Sequence, residues 1–452
     1  VEIISEASIS KGLKASLEYT YWVDAKHNWN QVCHASMAFG AWAVWEDNPD
    51  LARKIVERAK LKINLPMEEY EPDGAYPEGA GYWNYGTVFN VLFLDAWETV
   101  YNSPLPVGIN SGFMKSAEYV LHVSGPVGYY NYSDGRVRKG LSTPVFWFAK
   151  KTQNNGLLYY QKQFIDEIIS GKRKIDAEGH GNRLYPFLLI WLSQMEDISK
   201  DKPNELCWTG HGVNPVSTFR TGWNDDAIFV GIKGGSPSLN HAHMDAGSFV
   251  MDACGERWVM DLGAHGYHKL ESTGLDIWDK SPGGDRWKIF RYTNFSHSTL
   301  AFDGNFQNIY ASADIINSYC KKEKKGASVD LSAIYSASTD KVIRDVSIVN
   351  NNHVRIVDTV VNNQSASSMR WAILTADNIN IIDENLAIIT INGKTCSLEI
   401  IDPAKKVALK TFSTQPTDPR EDKNPGTAML GFEYRLEAEE EAVFQVVLKP
   451  GE

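Results

Sequence analysis

The stretch Asn240–Gly263, NHAHMDAGSFVMDACGERWVMDLG, sets two histidines and three aspartates among sheet-forming residues. Side chains alternate across a strand, so His241, His243 and Asp245 are predicted to share one face. The segment DACGERW reads as a tight hairpin with Gly255 supplying a positive φ, which returns Asp261 on the next strand. Such a set is costly to leave unpaired in a half-buried sheet. It holds a metal, performs acid/base chemistry, or satisfies itself as a polar network.

The same texture extends downstream. From about residue 205, segments such as DAIFVGIKGG, STLAFDGN, VIRDVSIVNNNHVRIVDTVVN and NLAIITINGKTCSLEII alternate apolar and polar residues between turn signals. That predicts an antiparallel, sandwich-like β region. His297 follows in YTNFSHSTLAFDG, and two imidazoles with a carboxylate (His243, His297, Asp261) suit zinc. Upstream, residues 5–200 read as helices: Val32–Asp47, a segment opening NPDLARKIV with Asn48 as cap and Pro49 in the first turn, Tyr85–Tyr101, His180–Glu196, and others near 109–123, 141–152 and 157–170. A helical half followed by an all-β half predicts separate domains rather than a wound α/β sheet. The loops EPDGAYPEGAG and VSGPVGYYNYSDGR are long and rich in polar and aromatic groups, where function tends to sit.

At 452 residues the chain is long for one domain, and 43% hydrophobic with 22% charged residues leaves ample core material. Aromatic residues make 12% of it; they fill a large core or line a cleft for sugar rings, one face of which is mostly C–H. A net charge of −11 argues against nucleic acid as a partner but leaves room for an anionic substrate at a local basic patch. The runs Arg136-Val137-Arg138-Lys139 and Lys172-Arg173-Lys174 read as solvated loops. Five scattered cysteines without a CxxC pair indicate neither a disulfide framework nor a zinc ribbon. No apolar run has the length of a membrane span. The opening VEIISEASIS, without initiator Met or signal peptide, reads as a processed or truncated product.

Two loops of the helical half complete the pattern. HNWNQVCH places Asn28, Asn30 and Gln31 just before a buried helix, and DGAYPEGAGYWNYG places Tyr76, Tyr82 and Tyr85 beside glycines. Each alone reads as a helix cap with aromatic packing. Together with NHAHMDAGSF, WVMDLGAHGY and RYTNFSHSTL, in that order over roughly residues 20–305, they resemble the heparinase II/III-like polysaccharide lyases.

The resemblance implies an α+β multidomain fold. An N-terminal incomplete (α/α) toroid would occupy 1–204, an antiparallel β-sandwich 205–390 and a small C-terminal β domain 391–452. It implies β-elimination on an anionic uronic-acid polysaccharide or oligosaccharide, in a bacterial periplasmic or secreted enzyme, with oligomers allowed and no nucleic acid or membrane span. His241 resembles the catalytic histidine and Tyr82 the general base or acid, with Tyr85 a close rival. Asn28 resembles the residue that binds the uronate carboxylate, and Tyr267 a second active-site tyrosine. Asn30, Gln31, Tyr85 and Arg291 would contact substrate, and His243, Asp261 and His297 would hold a structural zinc. The family's NNH pattern reads HNW here, at His27–Trp29. The residues alone also admit a metal-dependent hydrolase using the same cluster. A glycoside hydrolase would pair Glu78 with Asp73 or Asp225. A non-catalytic carbohydrate-binding protein is the third alternative.

Overall fold

The structure is a computed structural model that describes residues 9–18, 21–174, 182–195, 202–401 and 407–451. It divides into two compact units. The first comprises Val1–Tyr76, Ala80–Leu121 and Gly140–Pro203; the second comprises Pro77–Gly79, His122–Lys139 and Asn204–Glu452. The expected boundary at 204/205 thus falls one residue early, and two short upstream segments belong with the β-rich unit.

The first unit is helical: α1 (Lys11–Glu18), α2 (Asn28–Ala43), α3 (Pro49–Lys62), α4 (Ala80–Tyr101), α5 (Ser111–His122), α6 (Thr143–Thr152), α7 (Tyr159–Ile169) and α8 (Tyr185–Leu192). Helix α3 starts with Pro49 in its first turn and buries Leu51, Ala52, Ile55, Val56 and Ala59 at helical spacing. Helix α2 begins earlier than expected, at Asn28, because the His27 side chain accepts the Trp29 N–H (3.4 Å) as a cap. Asn28, Asn30 and Gln31 are therefore helical residues, not loop residues. Helices α2 and α4 approach closely at Gly86, where a Cβ would lie 2.9 Å from Gln31 Nε2 and 3.0 Å from Asn28 Cβ. Of the expected helix His180–Glu196, α8 forms the middle; both ends of that range lie outside the described residues.

Among its described residues, the second unit holds three antiparallel sheets. The first contains β1 (Cys207–Gly210), β2 (Val216–Arg220), β3 (Phe229–Lys233), β4 (Phe249–Ala253) and β5 (Glu256–Val259) in simple succession. The remaining strands are β6 (Leu300–Phe302), β7 (Asp314–Cys320), β8 (Lys324–Asp330), β9 (Thr339–Val349), β10 (His353–Asn362), β11 (Ser367–Ala376), β12 (Ile379–Ile381), β13 (Leu386–Ile391), β14 (Lys394–Ile400), β15 (Lys410–Phe412), β16 (Thr427–Leu436) and β17 (Glu441–Pro450). They form an eight-stranded sheet, β12-β13-β14-β17-β10-β9-β8-β7, and a four-stranded sheet, β15-β16-β11-β6. One apolar core draws on all three sheets, with Phe249 and Trp258 from the first, Val346 and Ile356 from the second, and Trp371 and Phe432 from the third. Inside that core the Arg344–Asp358 ion pair (2.7 Å) is satisfied by the carbonyls of Gly247 and Ser298 and the Trp371 indole N–H.

Two expectations need correcting. The interval 391–452 is not a separate domain: β14 and β17 pair with each other and β17 with β10, while β16 pairs with β11. The cysteines do form a disulfide, Cys207–Cys320, which joins β1 to β7, edge strands of two different sheets. Their spacing of 113 residues hid the pairing from the sequence. The DACGERW hairpin is as read, with Cys254 and Gly255 at φ of 54° and 74° in a two-residue turn. Among the described residues, no helix is long and apolar enough to cross a membrane.

Candidate active site

The site lies within the second unit and is built by the connection from β3 to β4. Residues 240–248 are not a strand; β4 begins only at Phe249. The chain instead makes turns, with the Ala242 N–H on Leu239 O (3.2 Å), the Met244 N–H on Tyr292 O (2.9 Å) and His241 at φ 56°. Strand alternation therefore does not explain why His241 and His243 act together. They meet because both reach one carboxylate, Asp134, from the segment His122–Lys139.

Asp134 is fully buried, and its oxygens are shared among four groups. Oδ1 meets His243 Nε2 (2.9 Å); Oδ2 meets His241 Nδ1 (3.0 Å), the Tyr267 hydroxyl (2.6 Å) and Arg286 Nη2 (3.2 Å). Burial alone would raise the Asp134 carboxyl, but the Arg286 guanidinium and the two imidazoles outweigh it and hold it well below the ordinary carboxylate range. An ionised carboxylate only accepts, so His241 carries a proton on Nδ1 and His243 on Nε2. The working nitrogen of His241 is then Nε2, 3.6 Å from Glu78 Oε2. The Tyr267 ring stacks on His241 (6.1 Å, 14°), and Trp278, 44% exposed, stands edge-on to both at 5.4 Å and 5.2 Å. Asp245, from the same loop, is tied to Lys233 Nζ (2.6 Å) and the Ser133 N–H (2.8 Å). Burial would raise its carboxyl too, and the Lys233 charge reverses that.

The segment carrying Asp134 is clamped to the first sheet. Arg257 of β5 pairs with Asp252 (2.7 Å) and donates to the carbonyls of Tyr129 (2.8 Å) and Gly128 (3.2 Å). The Tyr130 hydroxyl donates to Ser248 O (2.8 Å), its ring lying where Gly231 has no Cβ. In the run Arg136–Lys139, Arg136 and Arg138 are exposed as expected, while Lys139 turns back onto the Gly125 carbonyl (2.6 Å).

The three expected zinc ligands lie close together. The His243 and His297 rings are 5.2 Å apart, both fully buried. His243 Nδ1 and His297 Nε2 have no hydrogen-bond partner among the described residues. Burial lowers the pKa of His243 despite Asp134; for His297 burial opposes, and the Asp261 carboxylate raises it. Asp261 contacts His297 Nδ1 (2.8 Å) with one oxygen and accepts the Gly263 N–H (2.8 Å) with the other. That is where a carboxylate stands when it orients a metal-binding histidine from behind. Among the described residues, no three His, Cys, Asp or Glu groups converge as metal ligands do. Two buried nitrogen lone pairs facing no protein donor nevertheless fit a soft cation.

The remaining expected residues divide. In the first unit, Asn30 and Gln31 are wholly buried: Asn30 Nδ2 donates to Val23 O (2.9 Å), and Gln31 Oε1 accepts from Tyr70 and Asn90 (both 3.2 Å). Both are held within the helical unit, while Asn30 Oδ1 and Gln31 Nε2 have no hydrogen-bond partner among the described residues. Asn28 is 2% exposed, Tyr82 half-buried and Tyr85 40% exposed, the tyrosines on α4. In the second unit, Arg291 is committed to Asn424 Oδ1 (2.6 Å) and Ala264 O (3.2 Å), so it braces a loop. Of the acids weighed for hydrolysis, Glu78 is buried beside His241 and Asp225 is exposed. Asp134, Arg286 and Trp278 were missed as site residues. The signal for Asp134 was its loop, VSGPVGYYNYSDGR, already conspicuous for its polar and aromatic load.

Comparisons with known proteins bear on the fold that carries this site. No curated protein is matched by the chain. Among solved structures, heparan sulfate lyase HepC from Pedobacter heparinus aligns with a TM-score of 0.63 at 14% identity, over 94% of this chain and 59% of that one. A structure of heparinase III aligns at 0.71 and 13% identity, over 100% and 69%. A further heparinase III gene product aligns at 0.68 and 14%, over 98% and 62%. Identities this low establish shared fold alone, and the chain spans from 59% to 69% of the length of these structures. In sequence, residues 217–432 match the family described as heparinase II/III-like, C-terminal. That interval contains His241, His243, Asp261, Tyr267 and His297, so this part of the chain carries a heparinase II/III-like C-terminal domain.

Proposed function

We propose that the chain is a polysaccharide lyase that cleaves a uronic-acid-containing glycan by β-elimination, with His241 as an acid/base group. The observation that carries the reading is the buried Asp134, which fixes the tautomer of His241 and leaves Nε2 to exchange a proton. Elimination at a 4-linked uronide removes the proton on C5 and expels the oxygen on C4. Deprotonation adds charge beside a carboxylate that is already ionised, so hydrogen-bond donors must neutralise that group. Tyrosine titrates near ~10 when free and serves as a base only where donors or cations lower that value. Tyr267, stacked on His241, donates its hydroxyl proton to Asp134 (2.6 Å), and its oxygen lies 3.1 Å from the protonated Nδ1 of His241, so phenol, imidazole and carboxylate form one hydrogen-bonded set. Trp278 offers an exposed ring beside them for the C–H face of a sugar.

The roles expected of Asn28, as carboxylate ligand, and of Tyr82, as proton carrier, belong to the same proposal and rest on the family resemblance. So do the reading of the helical unit as an incomplete (α/α) toroid and of the sheets as a β-sandwich. A zinc held by His243 Nδ1 and His297 Nε2, with Asp261 behind His297, would act structurally, pinning the loop that presents His241. The disulfide supports a periplasmic or secreted location, where thiols oxidise.

Elimination creates a conjugated double bond that absorbs in the ultraviolet, whereas hydrolysis does not. The test is an absorbance screen of uronic-acid polysaccharides, with metal content measured in parallel. Wild type is expected to generate absorbance, and His241→Ala to generate none while keeping its metal and melting temperature. New reducing ends without absorbance would establish hydrolysis instead, and sugar binding without turnover a binding protein.

A further inference from the structure

Sequence and site leave one charged feature unused: the hairpin tip between β7 and β8, CKKEKKG at Cys320–Gly326. Three of its four lysines, Lys321, Lys322 and Lys325, line an open pocket of about 570 Å³ together with Asn204, Thr221 and Asn351. Lys325 is only 5% exposed, and its Nζ is held by two neutral oxygens, Asn351 Oδ1 (2.7 Å) and Lys322 O (3.2 Å). Buried lysines are rare unless paired with a carboxylate. Among the described residues, none of Lys321, Lys322, Lys324 and Lys325 has a carboxylate within ion-pair distance. Glu205, the acidic residue of the lining, is exposed. The arrangement is also rigid. Lys321 and Lys324 close the turn through paired backbone bonds, the Asn350 N–H holds Glu323 O (2.7 Å), and the Asn351 amide holds Lys322 O (3.2 Å).

A protein of net charge −11 that keeps a preorganised pocket lined by three lysines and one exposed carboxylate, none of the lysines ion-paired among the described residues, has a place for an anion. We propose that the Lys321/Lys322/Lys325 pocket is a second saccharide site that takes the sulfate or carboxylate of an acidic glycan. The glycan part of this assignment rests on the proposed lyase reading; the anion part does not. Lys325 supplies a fixed charge at the wall of the pocket, Lys321 and Lys322 supply mobile ones at its rim, and Asn204 and Thr221 offer neutral donors to sugar hydroxyls.

The test is isothermal titration of the intact chain with sodium sulfate and, separately, sodium glucuronate, at an ionic strength held constant with chloride. Saturable binding of either supports the site; sulfate alone points to a sulfated glycan, glucuronate alone to a carboxylate reader. Both Lys325→Met and the exposed pair Lys321→Ser/Lys322→Ser are expected to weaken that binding about tenfold, the weight of a lost charge-assisted contact. The exposed pair should leave the melting temperature unchanged, which separates a lost contact from a lost fold. Absence of saturable binding of both anions, or unaltered affinity in the exposed pair, overturns the proposal. The ultraviolet assay is read independently: ultraviolet product with no anion binding sinks this pocket alone, and anion binding without product sinks the lyase reading alone.

Discussion

Asp134 has its two oxygens facing two imidazoles, a phenol and a guanidinium, and no neutral side chain can reproduce that set. An amide in its place must aim an NH2 at one histidine or the other, forcing that ring into the opposite tautomer. Asp134→Asn is therefore expected to lower kcat by about 10³-fold or more, the scale seen when an orienting carboxylate behind a catalytic histidine becomes an amide. KM should change little, since Asp134 is buried behind His241 and Tyr267. Steady-state kinetics decide it; a kcat within about threefold of wild type would remove Asp134 from the proton pathway. The histidines were legible at this scale because their motif is spelled contiguously in Asn240–Gly263. Their shared acceptor was not, since Asp134 lies 107 residues before His241 and only the tertiary fold joins them. Arg291 likewise has a partner the sequence did not mark: it stands in a motif-bearing segment, and Asn424, 133 residues distant, takes its guanidinium.

The segment that delivers Asp134 depends on β3 having no side chain at Gly231. A Cβ there would lie 2.5 Å from the Tyr130 ring, which is pinned by its hydroxyl to Ser248 O. Gly231→Ala is expected to cost about 1–3 kcal/mol by overpacking and to lower kcat by displacing Asp134. Chemical denaturation with a parallel assay checks both; an unchanged midpoint would show that the ring moves freely. The element pattern itself was readable. Two-residue alternation marked β9 and β10, where register pairs Val354 with Ile348 and Ile356 with Val346, while helical spacing marked α3. Residues 240–248 were misread because turns rich in His, Ala and Asp mimic alternation, and only the positive φ at His241 reveals the difference. Helix α2 carries a pH signature of its own. His34 is fully buried, its Nε2 bonded to Val23 O (3.3 Å), and burial pushes its pKa down to about 4. The unfolded chain takes up that proton near ~6.5 and the folded chain does not, so stability is full above that pH. It should fall by up to about 3 kcal/mol as pH drops from 6.5 to 4, then cease to change on this account. His34→Gln should flatten the urea midpoint over that window; an identical slope would clear His34 of the effect.

Across the whole molecule, the β-rich unit must hold three sheets on one core with strand edges that would otherwise stand open. The Cys207–Cys320 bond closes one such place, tying the outer strand β1 of the first sheet to the outer strand β7 of the eight-stranded sheet. A backbone bridge between Gly235 and Ala313 joins the segments that follow β3 and precede β7. Cross-linking residues 113 apart removes a large loop-closure entropy from the unfolded chain. The double variant Cys207→Ser/Cys320→Ser, or wild type in reductant, should lose up to about 5 kcal/mol of stability, the chain-entropy value for a loop of about 100 residues. The Asp134–His241 geometry does not depend on the sulfurs, so kcat at low temperature should survive. Thermal unfolding with and without reductant measures the first claim and the ultraviolet assay the second. A melting temperature indifferent to reductant would mean that the strand edges are held by the core alone. Loss of kcat well below the melting temperature would mean that the bond instead sets the position of the His241 loop.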